Sequence, residues 1–246
     1  MTEDRNKFQL TIEANKVRNL GYNPSIGVER DSLVRIVTVV LDLEGFTNFF
    51  NKASPNQSII VASYVNAFLS WLNYRLDLEG KRIRKPRLSK FLGDGVLYVW
   101  ETKEGKTEQI AHDLMNFCWN ITRGADRYEI SFLPQFKRQL GKKWDCEYPK
   151  HLRASLATGF AVKYTRRNRP AEYVSECINI AFRLCGIDPE LYFIAHSDLL
   201  LDDEIKTAHN YVEKGIKIKG IDKSIAVFID KDDFDSLTDK SRWEDI

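Results

Sequence analysis

Two acidic residues stand where a chain can build a site for a hard cation. Asp42 closes the β-branched run Val34 to Leu41 and precedes Leu43, Glu44, Gly45, Phe46 and Thr47. A run of that composition reads as a strand buried on both faces, so its terminal carboxylate emerges at a sheet edge. The turn after it opens a helix. Backbone N–H groups near Gly45, Phe46 and Thr47 face outward there, a setting that attracts phosphate. An ordinary turn with Thr47 as N-cap fits the same letters. Asp94 lies between Gly93 and Gly95, and Asp-Gly is also a favoured hairpin tip. If the two strands are neighbours, the carboxylates converge. With phosphate oxygens they make an oxygen site suited to Mg²⁺ or Mn²⁺. Two such ions together serve phosphoryl chemistry.

A second set lies further along. Asn179 and Arg183 are four apart in YVSECINIAFRL and share one helix face. An amide and a guanidinium so placed can hold a ribose and a phosphate in transfer. A polar stripe on an amphipathic helix gives the same spacing. Lys219 precedes Gly220 and reads as a phosphate contact or a surface lysine.

The elements that must position these residues follow from periodicity. After the strand Val34–Leu41, a short helix from Thr47 stops before Pro55, and a longer one spans about Asn56 to Leu78. Its apolar residues Ile60, Val61, Tyr64, Val65, Phe68, Leu69 and Leu72 repeat at helical spacing. Arg87–Leu92 and Val96–Trp100 read as strands around the hairpin tip. Glu108–Ile121 is a helix, and the polar, irregular stretch 122–149 reads as helix plus loop. Leu152–Thr158 and Phe160–Tyr164 form a second strand pair. A helix over Val174–Leu184, a strand at Tyr192–Ala195, a helix at Asp198–Ile205 and strands at Ile216–Lys219 and Ile225–Ile229 complete the order. The pattern is α+β, with a ferredoxin-like βαββαβ core and extra helices and strands. The division expected is an N-terminal extension over 1–30, one catalytic domain over 31–230 and a C-terminal tail over 231–246.

Composition narrows the classes. The 246 residues are 43% hydrophobic, enough to fill a core, and 37 basic against 35 acidic side chains remove the large basic excess of a nucleic-acid binder. No DNA or RNA partner is expected. Cys118, Cys146, Cys177 and Cys185 form no C-x-x-C pair, so they read as buried cytosolic thiols. The start lacks a hydrophobic signal region, and Ser58–Leu72 is too short and polar-flanked to span a bilayer. The expectation is a soluble, cytoplasmic protein.

Taken together and in order, these motifs resemble the class III nucleotidyl cyclases, from about Val37 to Phe228. Asp42-Leu-Glu-Gly45-Phe46-Thr47 matches the family's Asp-x-x-Gly-Phe-Thr. Lys90-Phe-Leu-Gly93-Asp94 matches Lys-x-x-Gly-Asp. Arg153 to Gly159 matches its Arg-led strand, Ile178-Asn179-Ile-Ala181-Phe-Arg183-Leu184 its Val-Asn-x-Ala-x-Arg-Leu, and Lys219-Gly220 its late Lys-Gly. The resemblance implies that Asp42 and Asp94, with the Leu43 carbonyl, hold two divalent cations, Mn²⁺ or Mg²⁺. Amides near Phe46 and Thr47, with Lys219, hold the triphosphate. Asn179 orients the ribose and Arg183 stabilises charge on the α-phosphate. The ribose 3′-oxygen closes a 3′,5′-ring and pyrophosphate leaves. Because the family draws its aspartates and its Asn–Arg pair from opposite subunits, a homodimer with two shared sites is implied.

Base choice in the family rests on two positions, here Lys90 and Glu172. A donor and an acceptor fit adenine, uracil or guanine alike. The larger side chains favour a small pocket and a pyrimidine. A stand-alone divergent cyclase looks like the Pycsar anti-phage cyclases, whose cyclic UMP or cyclic CMP is read by an effector protein. UTP is therefore the expected substrate, with ATP and CTP as alternatives. A diguanylate cyclase relative lacks support, since no G-G-D-E-F turn occurs. A degenerate nucleotide-binding domain would have lost one of the four key side chains, and all are present.

Overall fold

The computed structural model describes residues 33–52, 58–79, 83–103, 105–140, 147–164, 171–199, 203–221 and 223–246. The expected extension over 1–30 and Cys146 lie outside them. The strands are β1 (Leu33–Leu43), β2 (Leu88–Phe91), β3 (Gly95–Thr102), β4 (Leu152–Tyr164), β5 (Glu172–Val174), β6 (Phe193–His196), β7 (Tyr211–Ile216), β8 (Ile225–Asp230) and β9 (Trp243–Glu244). The helices are α1 (Phe46–Lys52), α2 (Ser58–Leu78), α3 (Thr107–Thr122), α4 (Tyr128–Ser131), α5 (Leu133–Leu140), α6 (Glu176–Cys185), α7 (Asp203–Ala208) and α8 (Lys231–Ser236).

One sheet joins these strands in the order β2-β3-β1-β4-β6-β8-β7-β9, with β5 pairing β4 off that path. The expected βαββαβ core is its first half. β3 lies antiparallel between β1 and β2, and β4 runs antiparallel along the other side of β1. This is the split βαβ arrangement of ferredoxin-like folds. The β4–β6 pair is parallel, and β8, β7 and β9 extend the sheet antiparallel.

β1 holds the centre because its residues are apolar on both faces. Val37, Val39, Leu41 and Leu43 pack into one layer with α1 to α5, and Ile36 and Val40 into the other with α6. Helices on both faces of one sheet give three layers. Within α2, Val61, Tyr64, Phe68 and Leu72 turn a single face inward. Tyr64 centres an aromatic cluster, with ring centroids 5.0 Å from Phe49 and 5.2 Å from Phe136. Its hydroxyl meets that of Tyr128 at 2.6 Å, and Tyr128 donates to the Pro149 carbonyl at 2.9 Å. The buried hydroxyls thus keep partners.

Several expected boundaries move. Leu152–Thr158 and Phe160–Tyr164 are not a pair but one strand running through Gly159. A Cβ there would lie 3.1 Å from the Cys177 Cβ, so glycine lets α6 settle on β4. The helix expected from Val174 starts at Glu176, because Ser175 caps it by accepting from the Cys177 N–H at 3.2 Å. The strand expected at Ile216–Lys219 lies earlier, at Tyr211–Ile216. The helix expected at Asp198–Ile205 is split into a 3-10 turn, Ser197–Leu199, and α7. Two short helices, α4 and α5, occupy part of the irregular stretch 122–149. Residues 231–246 form α8 and β9 on the sheet, capped by Asp230, with Phe234 and Trp243 edge to face at 5.5 Å. Among the described residues no helix is long and apolar enough to cross a membrane.

Candidate active site

The site is set by strand register. Asp42 stands opposite Gly95 on β3 and opposite Arg153 on β4. The Leu43 N–H donates to the Asp94 carbonyl at 2.9 Å. A Cβ on Gly95 would sit 2.1 Å from the Leu41 carbonyl oxygen, so only glycine lets β3 start against β1. That close approach brings Asp94 beside Asp42. Beyond β1, Gly45 turns the chain into α1 at φ +83°, a conformation that a side chain disfavours.

Arg153 contacts Asp42 through two N–H groups, and its Nε donates to Asp42 Oδ2 at 3.1 Å. Burial pushes the Asp42 carboxyl up. The hydrogen bond and charge of Arg153 pull it down, and Asp94 and Glu44 push it up again. A second acid beside a half-buried one asks for a cation. Arg153 supplies positive charge beside Asp42. Sequence motifs marked Arg153 without assigning it a task. The signal that would have found it is a charge in the largely apolar first half of that strand.

Two carboxylates and the Leu43 carbonyl are hard oxygen donors at one end of the sheet. Among the described residues no group of three or more His, Cys, Asp or Glu forms a closed metal cage. The set fits an ion that keeps places for water and phosphate oxygens, which is how Mg²⁺ usually binds.

Next to Asp94 opens a cleft of about 570 Å³, lined by Phe46, Thr47, Phe50, Val65, Phe91 and Gly93 among others. Its wall is mainly apolar. Phe46 and Thr47 begin α1, so their amides lie in a first turn without intrahelical acceptors.

Asn179 and Arg183 lie on the exposed face of α6, as their spacing required. Arg183 Nη1 donates to the Lys219 carbonyl. A Cβ on Gly220 would lie 3.1 Å from that Nη1, so the Lys219-Gly220 turn is fitted to the guanidinium. The structure therefore joins Arg183 to Lys219. It does not join them to the aspartates of the same chain. The charges that act on Asp42 are Arg153, Asp94 and Glu44.

The two base-reading residues are not brought together either. Lys90 pairs with Leu97 and shares its face of the sheet, the face covered by α6. Glu172 pairs with Tyr164, one step out of phase with the Lys163–Tyr173 pair that belongs to the α6 face. Alternation along β5 turns Glu172 to the opposite side. By register, Lys90 and Glu172 stand on opposite faces of the sheet.

No protein-family model and no curated protein matches the sequence. Solved structures do match. The adenylyl cyclase CyaB from P. aeruginosa superposes with a TM-score of 0.59 at 14% identity, over 80% of this chain and 93% of that one. The guanylyl cyclase Cya2 gives 0.56 at 15%, over 80% and 91%. The guanylate cyclase domain of RhGC from Catenaria anguillulae, solved with GTP, gives 0.50 at 15%, over 79% and 94%.

The chain has the cyclase catalytic-domain fold.

Within that fold, the likeness covers about 80% of the chain. The cyclase fold thus agrees with the α+β architecture read from periodicity.

Proposed function

We propose that the protein is a class III nucleotidyl cyclase, taking a nucleoside triphosphate to its 3′,5′-cyclic monophosphate and pyrophosphate. The observation that carries this reading is the meeting of Asp42 and Asp94 across the β1–β3 register, beside the Gly45 turn that opens α1. The ribose 3′-oxygen attacks the α-phosphorus, forming one P–O bond. The bond to the bridging oxygen of the β-phosphate breaks, and the 3′ proton passes to water. Divalent ions, Mn²⁺ or Mg²⁺, held by Asp42, Asp94 and the Leu43 carbonyl would neutralise phosphate charge and ease loss of that proton.

The chain's own groups do the positioning. Arg153 balances Asp42 and, were Asp42 to hold an ion, would be free to face the anionic substrate. First-turn amides at Phe46 and Thr47, with Lys219, hold the triphosphate. Asn179 fixes the ribose. Arg183 meets the charge that grows on the α-phosphate. Since Arg183 and Lys219 gather apart from the aspartates, the complete site forms between two copies in a homodimer, with two equivalent sites.

UTP is the proposed substrate, with ATP and CTP as alternatives. The bulk of Tyr173, buried on Lys90's face, supports a small base pocket. In this reading the protein is a cytoplasmic Pycsar-type cyclase. Its cyclic UMP signals to a cyclic-nucleotide-sensing effector in anti-phage defence. Incubating purified protein with ATP, GTP, CTP or UTP and Mn²⁺, with products identified by mass spectrometry, tests it. Cyclic UMP as the main product is expected. Cyclic AMP as the main product overturns the choice of base, and no cyclic product from any nucleotide overturns the activity.

A further inference from the structure

The most basic stretch of the chain has almost no task in that scheme. Lys81 to Lys90 reads KRIRKPRLSK, six cations and no acid, in a chain whose net charge is +2. Its described part, from Ile83 on, is a loop with fixed anchors. The Ile83 N–H donates to the Glu79 carbonyl at 2.9 Å, and the Arg87 N–H to the Val99 carbonyl at 2.7 Å. Between them the Trp100 indole donates to the Arg84 carbonyl at 2.6 Å. Ile83 itself is buried in the same core layer as Leu76 of α2. The backbone that carries Arg84 and Lys85 is thereby held on both sides.

This loop, the last turns of α2 and the β2–β3 pair border a cavity of about 740 Å³. It shares no lining residue with the cleft beside Asp94. Cavities of roughly 300–1,000 Å³ take small molecules. Leu76 and Ile83 make one side apolar, while Arg84, Lys85, Ser89 and Tyr98 supply donors. Register sets Ser89 opposite Tyr98, and the two side chains share a hydrogen bond. Burial pushes the Tyr98 hydroxyl up to about 12, so it stays a neutral O–H. Among the described residues the one acid of the lining is Asp77, which meets Lys85 at 4.0 Å with both side chains exposed. Such a pair neutralises little. Among the described residues the Arg84 guanidinium has neither a hydrogen bond nor an ion pair.

An unpaired guanidinium beside an ammonium and two hydroxyls suits an anion. A guanidinium takes two oxygens at once. That uses up a carboxylate but leaves a phosphate a further oxygen for Lys85 and Ser89. The walls favour a small molecule over a polyanion, which would lie across the surface. We propose that this cavity binds a small phosphorylated molecule, its phosphate on Arg84, Lys85 and the Ser89 hydroxyl and its organic part on Leu76 and Ile83. Neither the site nor its test rests on the cyclase reading.

The test is calorimetry in EDTA, which keeps divalent ions from the aspartates. The probes are UMP and uridine. The proteins are wild type, an Arg84→Ala, Lys85→Ala double variant, Ser89→Ala and Lys219→Ala. Wild type is expected to bind UMP at least about tenfold more tightly than uridine, because charge-assisted hydrogen bonds go to the phosphate. The double variant removes exposed side chains and keeps the loop's backbone anchors. It should lose about tenfold or more in UMP affinity, and Ser89→Ala less in the same direction. Lys219→Ala should keep wild-type affinity. No binding of UMP, equal affinity for uridine, or a loss confined to Lys219→Ala would overturn the site. Phosphatidylserine vesicles and single-stranded RNA form the last arm. Binding of either through Arg84 and Lys85, with UMP unbound, would make the basic run a surface for a polyanion and overturn the proposal as well.

Discussion

At the scale of single residues, Asp42 contacts Arg153 and would have to turn from it to hold a divalent ion. Ion binding to the folded chain alone stabilises it by about 2.7 kcal/mol at a hundred times the dissociation constant. Urea unfolding with and without Mn²⁺ is expected to show that gain in wild type and its loss in Asp42→Ala and Asp94→Ala. An undiminished gain in both variants would remove these residues from the metal site. Two histidines make a separate prediction. Burial lowers the affinity of His196 and His209 for a proton below the ordinary 6.5, although Asp198 and Glu176 beside His196, and Asp230 beside His209, pull the other way. The unfolded chain then binds more protons just below that value. The stability from these residues is complete above pH 6.5 and is lost as pH falls through the lower folded values. Urea midpoints at pH 7.5 and 5.5 should separate in wild type and converge in the His196→Gln, His209→Gln double variant.

At the scale of elements, the decisive feature is how closely β1 and β3 approach. Gly95→Ala sets a methyl 2.1 Å from the Leu41 carbonyl oxygen, against backbone that cannot turn aside. The strands must part, which costs about 1–3 kcal/mol as overpacking usually does. The carboxylates separate too, so Mn²⁺ should no longer protect this variant. The helical layer on the other face is tested at Phe49, which is 1% exposed and packed on Tyr64. Phe49→Ala should cost about 3–5 kcal/mol in chemical denaturation. Elements were also where the sequence was unevenly legible. Asp42, Asp94, Asn179 and Arg183 could be read because each lies in a local run of letters. The buried strand and the helical stripes on α2, α3 and α6 were equally plain. What could not be read was parity. Nothing local says that Tyr173, rather than Glu172, turns toward Lys90, because β5 has three residues and takes its register from β4. Ser175 as a cap, and Gly159 as the place where α6 touches β4, are tertiary facts. They become visible only once helix and sheet are packed.

At the scale of the whole molecule, the site is divided. One end of the sheet bears the acids, while α6 and the Lys219-Gly220 turn bear the groups proposed to meet the nucleotide. In the proposed reading a single chain holds two incomplete halves, and two copies related by a twofold axis would complete both. The arrangement makes activity depend on protein concentration, and it makes different lesions in different chains mutually correctable. The direct test combines an Asp42→Ala protein with an Arg183→Ala protein, mixed dimers being verified by mass, and reads cyclic nucleotide formed. Each variant alone is expected to be inactive. With random pairing, half the dimers are mixed and each carries one intact site, so the mixture should regain about a quarter of wild-type activity. No recovery in dimers proven to be mixed would contradict the shared site.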